Sequence, residues 1–389
     1  MANEKTVLIL GGGVGGVVAA TRLRQRLPRE HRVVLVERAA AFVFQSAFLR
    51  LMTGQRTRAA ISRPLANLEK RGIEVIRGEV EAIDPDRRSA RVNGQELAGD
   101  YLVLALGAEL ASDAVPGLTE AGINLYTPEG ATQLNEARQA IRSGHVVVRL
   151  AMLVCATPFK CPAAPYEAAM LLDADLRRRG LRAAVAIDLY TPEPGPMGAA
   201  GPEISRQVRQ MVEAKGIGYH PEHAVTGVDA LIKQLRFANG ATADFDLLVY
   251  VPPHRAPLCA REAGLCGANG WIEVDRATLA TRFPGIYAIG DAVGISLTTG
   301  KPLPKAAVFA QAQAETVARN IADLIEGRPA ANHFEGHGAC FLEIGDGRAG
   351  FGSGNFYAEP APAITMKPPG RLMHWAKAAY EKYWLYKWF

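Results

Sequence analysis

The chain predicts an α/β protein with two Rossmann-like dinucleotide-binding domains, the second inserted in the first, followed by a C-terminal region of different character. Three observations carry this. A glycine-rich turn, Gly11-Gly-Gly13-Val-Gly-Gly16, stands between an apolar run and a helical one. Two more apolar runs end in small residues but lie far apart, at 100–108 and 283–291. Between them a strand, a helix and a strand can be read in succession, which calls for a second layered unit.

Taken in order, Thr6-Val-Leu-Ile-Leu10 reads as a buried strand, Val17 to Leu27 as a helix and Arg32-Val-Val-Leu-Val36 as the strand that closes a βαβ unit at Glu37. In that setting Gly11 permits a tight turn, Gly13 lets backbone approach a pyrophosphate at a helix N-terminus, Gly16 lets helix and strand pack closely, and Glu37 is placed for a ribose hydroxyl. Gly72 to Val80 reads as a strand and turn, followed by an alternating segment to Leu97 and a buried strand within Asp100–Ala108. Phe283-Pro-Gly-Ile-Tyr-Ala-Ile-Gly-Asp291 supplies another strand, and a helix runs from near Pro304 to Glu326. The expected domains are 1–110 with 255–330, an insertion at 111–254, and a C-terminal region at 331–389. The insertion carries a strand from His145 to Val154, a helix from Pro165 to Arg179 and a strand from Leu181 to Leu189.

With 49% hydrophobic and 21% charged residues, 389 residues can bury a large core. A formal charge of +5 without a run of like charges does not point to nucleic acid. The first strand begins too early for a signal peptide, and the longest apolar run, His145 to Phe159, is broken by Arg149, so neither export nor a transmembrane helix is expected. Five cysteines do not make a disulfide framework.

The insertion departs from its host where chemistry is decided. A domain that takes hydride from NAD(P)H normally repeats the glycine turn after its first strand. Here the chain reads Cys155-Ala-Thr-Pro-Phe-Lys-Cys161-Pro-Ala-Ala-Pro165-Tyr-Glu167, with no glycine between Gly144 and Gly180. A cysteine just ahead of a helix is a candidate nucleophile, its thiolate favoured by the macrodipole and Lys160, or else a small buried apolar residue. Cys155 ends a strand and reads as core. Cys259 and Cys266, seven residues apart in an expected helix, lack the spacing of a metal site, and no metal is assigned.

Gly11 to Gly16 with Glu37, Asp100 to Ala108 and Ile286 to Asp291 resemble the successive FAD motifs of two-dinucleotide-binding-domain flavoproteins. That resemblance implies FAD lined by Gly11, Gly13, Gly16, Glu37, Val80, Gly107, Gly290 and Asp291. It places Lys305 near the flavin N1 and C2 oxygen, where positive potential stabilises reduced flavin; a solvated lysine is the alternative. Pro158 to Glu167 resembles the signature of sulfide:quinone oxidoreductases and of the flavoprotein subunit of flavocytochrome c sulfide dehydrogenases. The resemblance pairs Cys161 with Cys340, in Gly338-Ala-Cys-Phe-Leu-Glu-Ile-Gly345, as a redox-active disulfide. Sulfide would open it to a persulfide and a thiolate, with electrons leaving through FAD to quinone. Some members attach FAD through an earlier cysteine. This chain has none before Cys155, so noncovalent FAD is expected. His220, His223, His254, His333 and His337 read as surface or loop residues, leaving Glu167 as the proton-transfer candidate.

The tail from Arg371 crowds Trp375, Tyr380, Tyr383, Trp384, Tyr386, Trp388 and Phe389 together with Lys377, Lys382 and Lys387. Such rings and snorkelling lysines suit a membrane headgroup layer, and the segment resembles the membrane-facing tail of sulfide:quinone oxidoreductases. The alternative is a tail packed on its own core or on a partner. The expected protein is peripheral on a membrane of unassigned side, with homo-oligomerisation left open. Three rival activities remain: a cytochrome c acceptor, an NADH:quinone oxidoreductase and a flavin redox sensor without turnover.

Overall fold

The computed structural model describes residues 4–142, 144 and 147–389. Two five-stranded parallel sheets organise it. Across the first lie Ile286–Ala288, Tyr101–Leu104, Thr6–Leu10, Arg32–Glu37 and Glu74–Arg77. Across the second lie Gly122–Asn124, Leu247–Val251, Val148–Val154, Val185–Tyr190 and Gly218–His220. All strands of the first but the edge strand Glu74–Arg77 are buried over most of their length, which explains their apolar runs. The chain crosses from one sheet to the other and back through a short antiparallel pair, Glu109–Leu110 with His254–Arg255.

Element ends differ from the sequence expectation where glycine or local turns intervene. The first helix spans Val14–Arg26 rather than starting at Val17, because Gly15 and Gly16 already lie within it. In the second sheet the leading strand begins at Val148; the expected start, His145 and Val146, lies outside the described residues. The helix after Asp291 begins at Ala307, and the one expected around Cys259 and Cys266 stops at Glu262. The alternating segment before Leu97 forms the antiparallel strands Val80–Asp84, Ser89–Val92 and Gln95–Ala98.

The C-terminal region is a three-stranded antiparallel sheet, His337–Gly345, Arg348–Asn355 and Ala363–Gly370, leading directly into the helix Arg371–Trp388. Its first strand packs on the Ala164–Arg178 helix so closely that a Cβ on Gly345 would sit 2.4 Å from that of Ala174. Trp384 stacks on Phe42 at 4.9 Å and donates its indole N–H to Gln311 at 3.0 Å, while Trp388 is fully buried. The tail helix is thus anchored to the first domain along one side.

Candidate active site

The glycine turn forms a cradle at the end of the first strand. Gly11 has φ +106°, and a Cβ there would lie 2.4 Å from the Ala105 carbonyl oxygen; one on Gly16 would lie 1.8 Å from the Gly11 oxygen. Both positions need glycine to let backbone meet backbone. Gly13, by contrast, faces open space at the helix N-terminus, as does Gly107. Glu37 closes the turn by accepting the Gly12 N–H at 2.7 Å and the Ala39 N–H at 2.9 Å, and Val80 opens the strand just beyond Gly78, whose N–H donates to the Glu37 carbonyl. Across the cradle, Gly290 donates its N–H to buried Gln313 at 2.7 Å. Asp291 holds a buried Oδ1 without a partner among the described residues. Burial pushes its carboxyl up, with Lys160 and Lys305 opposing. An open glycine edge and an orphaned carboxylate oxygen fit a bound dinucleotide with hydroxyls to donate.

Lys305 is buried rather than solvated. It precedes the helix, donates to the carbonyls of Asp291 at 2.8 Å and Val293 at 2.9 Å, and sets its ammonium 3.3 Å from the Trp271 ring centroid. Those contacts occupy its donors, and burial lowers its pKa to about 7. Its backbone carbonyl accepts the Cys161 N–H at 2.6 Å, so the segment beside Asp291 also holds the thiol loop.

Cys161 has φ +48°, a left-handed conformation that a non-glycine residue adopts only when its surroundings enforce it. Three bonds do so: its N–H to Lys305, and its carbonyl accepting both the Tyr126 hydroxyl at 3.1 Å and the Ala164 N–H at 2.9 Å. Burial pushes its thiol well up, and Cys340 and Glu167 add to the rise. Cys340, solvent-accessible but crowded by protein on most sides, is pushed up to about 11 by that crowding and by Glu167. Both carry free thiols, and charge on Cys340 is felt at Cys161. The cation that opposes the rise at both sulfurs is Lys377, from the C-terminal helix. Lys160, which the sequence places beside the thiol, donates instead to Gln45 at 2.9 Å.

Lys377 meets Glu167 at 2.7 Å, and the same carboxylate oxygen accepts the Glu343 N–H at 2.7 Å. Burial works against the Lys377 charge, but Glu167 and Glu343 outweigh it and hold its pKa above the ordinary lysine value. Glu343, three residues past Cys340, binds Arg50 at 3.2 Å and His374 at 2.9 Å; Glu381 binds Arg56 at 2.6 Å. His374, Lys377 and Glu381 share one helix face, so the tail helix lays a polar stripe against Glu167 and Glu343, which sit on the two packed elements that follow Cys161 and carry Cys340.

A family model described as pyridine nucleotide-disulphide oxidoreductase matches residues 5–314. The chain belongs to the pyridine nucleotide-disulphide oxidoreductase family. It is 29% identical to the sulfide-quinone reductase of Aquifex aeolicus, covering 98% of this chain and 91% of that protein. It is 24% identical to the mitochondrial sulfide:quinone oxidoreductase of Mus musculus, covering 92% and 80%. The solved structure of the sulfide:quinone oxidoreductase from Aquifex aeolicus superposes with a TM-score of 0.88 at 27% identity, covering 99% of this chain and 91% of that one. The chain is therefore an oxidoreductase of this family and works with a flavin cofactor.

In the second domain the third residue of the helix Ala164–Arg178 is Tyr166, fully buried, which donates its hydroxyl to Glu193 at 2.6 Å. His254, expected at the surface, instead lies edge-on to Tyr126 at 5.5 Å, its Nδ1–H donating to the Pro252 carbonyl. Burial and the charge of Lys160 lower its pKa to about 3, so it stays neutral. Only its place on the strand that returns from the insertion hints at this. Cys155 packs with Leu153 and Tyr250 in the core of the second domain. Cys259 is buried, and Cys266 lies beyond the end of its helix.

Proposed function

We propose that this chain is an FAD-dependent sulfide:quinone oxidoreductase with noncovalent FAD and a Cys161–Cys340 disulfide as its working oxidised state. The observation that carries the proposal is the backbone bond from Cys161 to Lys305, which ties a strained cysteine to the segment presenting Asp291. Gly11, Gly13, Gly16 and Glu37 would hold the pyrophosphate and ribose, with Val80 and Gly107 alongside. Gly290 and Asp291 would face the ribityl hydroxyls. Bound there, the flavin supplies a two-electron acceptor that quinone reoxidises.

The chain's own residues account for the sulfur step. Hydrosulfide attacks the sulfur of Cys340, the exposed member; a new S–S bond forms as the Cys340–Cys161 bond breaks, leaving a persulfide on Cys340 and a thiolate on Cys161. The sulfide sulfur is oxidised and the disulfide reduced by the same electron pair. Lys377 offsets the negative charge that appears, and Glu167, committed to Lys377 and to the Glu343 N–H, positions that ammonium rather than shuttling protons. The Tyr166–Glu193 bond favours sulfide over NAD(P)H as the electron source.

The exposed face of the tail helix supports a membrane location. Leu372, Trp375, Tyr383 and Tyr386 fall at helical spacing and are 74%, 69%, 55% and 82% exposed, a stripe suited to the lipid interface through which quinone arrives. No described helix is long and apolar enough to cross a membrane. Anaerobic titration with flavin absorbance recorded tests the reading. Sulfide should bleach the wild-type flavin stoichiometrically while NADH does not. Cys161→Ala and Cys340→Ala should lose sulfide-driven quinone reduction by at least about a thousandfold while keeping flavin that acid releases into the supernatant. Stoichiometric bleaching by NADH would overturn the assignment.

A further inference from the structure

A cleft of about 470 Å³ lies between the 3-10 helix Leu65–Arg71 and the end of the C-terminal helix, apart from both the cradle and the thiols. Arg63 and Arg71 line one wall, and Tyr386, Lys387 and Phe389 the other. The three cations are half-buried, and among the described residues none forms an ion pair with any carboxylate, the chain-terminal one included. Partly desolvated like charges around one opening repel one another, and an anion seated among them removes that cost.

The surroundings say what kind of anion fits. Arg71 donates one N–H to the Lys387 carbonyl at 3.1 Å, which fixes the helix end and leaves the rest of its fork for a ligand. Arg63 uses Nη1 on the neighbouring Ser62 carbonyl. Two guanidinium forks match phosphate oxygens. Lys387 sets its ammonium 5.5 Å from the Tyr383 ring centroid and 5.0 Å from that of Trp388. Tyr386 belongs both to the cleft wall and to the exposed stripe of Leu372, Trp375 and Tyr383, so whatever occupies the cleft continues into an apolar surface.

We propose that this cleft binds the phosphate headgroup of an anionic phospholipid while the aromatic stripe enters the same leaflet. This rests on the membrane location argued above. The site would fix the orientation of docking, which a band of aromatic rings alone leaves free to roll.

Vesicle sedimentation of the flavin-loaded protein tests it, using phosphatidylcholine vesicles and the same vesicles doped with phosphatidylglycerol. Wild type should partition at least about 25-fold more strongly to the doped vesicles, and the preference should fall with added salt. Each basic residue at an anionic surface contributes about fivefold, so the double variant Arg63→Gln/Lys387→Gln should lose about 25-fold on doped vesicles and little on neutral ones. Lys233→Glu, on an exposed hairpin of the second domain, should behave as wild type. Equal wild-type binding to both vesicle types, or an unchanged double variant, would overturn the headgroup site and leave the membrane reading standing. Binding to neither would bring down both. Saturable binding of free glycerol 3-phosphate by the wild type, with no vesicle preference, would reassign the cleft to a soluble phosphate and overturn the proposal.

Discussion

The two parallel sheets have their four sequential strands in one order, yet the turn after the first strand does opposite things in each. In the first domain three residues, Gly11 to Gly13, join Leu10 to the helix at Val14; in the second, nine residues, Cys155 to Ala163, join Val154 to the helix at Ala164. The third helical residue is Gly16 in one and Tyr166 in the other. Glu37 ends the second strand of one and closes the glycine turn, whereas Glu193, just past the second strand of the other, accepts the hydroxyl of Tyr166. An acid and a hydroxyl meet in the insertion as an acid and a ribose would in a nucleotide site. On the function proposed above, one scaffold would hold a cofactor where its turn is bare backbone and a thiol where side chains fill that turn.

The sharpest way to break this comparison is at Gly16. Alanine there places a Cβ 1.8 Å from the Gly11 oxygen and must displace the helix, at about 1–3 kcal/mol or more. The flavin-to-protein absorbance ratio of purified Gly16→Ala should collapse, while Tyr166→Ala, its counterpart, keeps its flavin. Equal flavin content in the two variants would mean that the domains are not specialised as described.

Removing the cation shared by the thiols probes the second domain's chemistry. Lys377→Met leaves Glu167 buried without its partner, which costs about 3–5 kcal/mol in denaturant unfolding. The folded pKa of Lys377 lies above the unfolded value of 10.5, so its contribution is complete below that pH and lost only as pH climbs past the folded value. The deficit should therefore be constant through neutral and mildly alkaline pH. In the reduced wild type, alkylation of Cys340 should keep rising past the ordinary thiol value of 9.0 and level off above about 11; in Lys377→Met the rise should move higher still. An alkylation profile unmoved by the substitution would separate Lys377 from the sulfurs.

The smallest expected effect sharpens the comparison most. Tyr166→Phe removes the hydroxyl from Glu193, whose carboxyl is already pushed up by burial, and should lower stability by about 1–2 kcal/mol without changing flavin content. A stability equal to wild type would make the acid–hydroxyl pairing incidental.

What the sequence made legible was local. The glycine turn, the buried strands and the acid after the second strand all write themselves within forty residues, because backbone approach admits only glycine and a covered parallel sheet admits only apolar runs. The thiols were legible through resemblance to a motif. The left-handed backbone of Cys161 was not, since two of the three bonds that enforce it come from the distant Lys305 and Tyr126. Nor was the role of Lys377: its partner Glu167 lies 210 residues away, and an aromatic tail with lysines reads as a lipid surface until its other face is seen. His254 was misread for the same reason, as a strand crossing between domains brings it against Tyr126.

That two-faced tail helix bears on how the protein can be handled. Truncating at Arg371 to obtain a detergent-free enzyme would strip partners from Glu167, Glu343, Arg50 and Arg56 at once and abandon the pocket that seats Trp384 and Trp388. On the membrane location proposed above, detergent-free handling calls for repainting the exposed stripe at Leu372, Trp375, Tyr383 and Tyr386, with the inner one left alone.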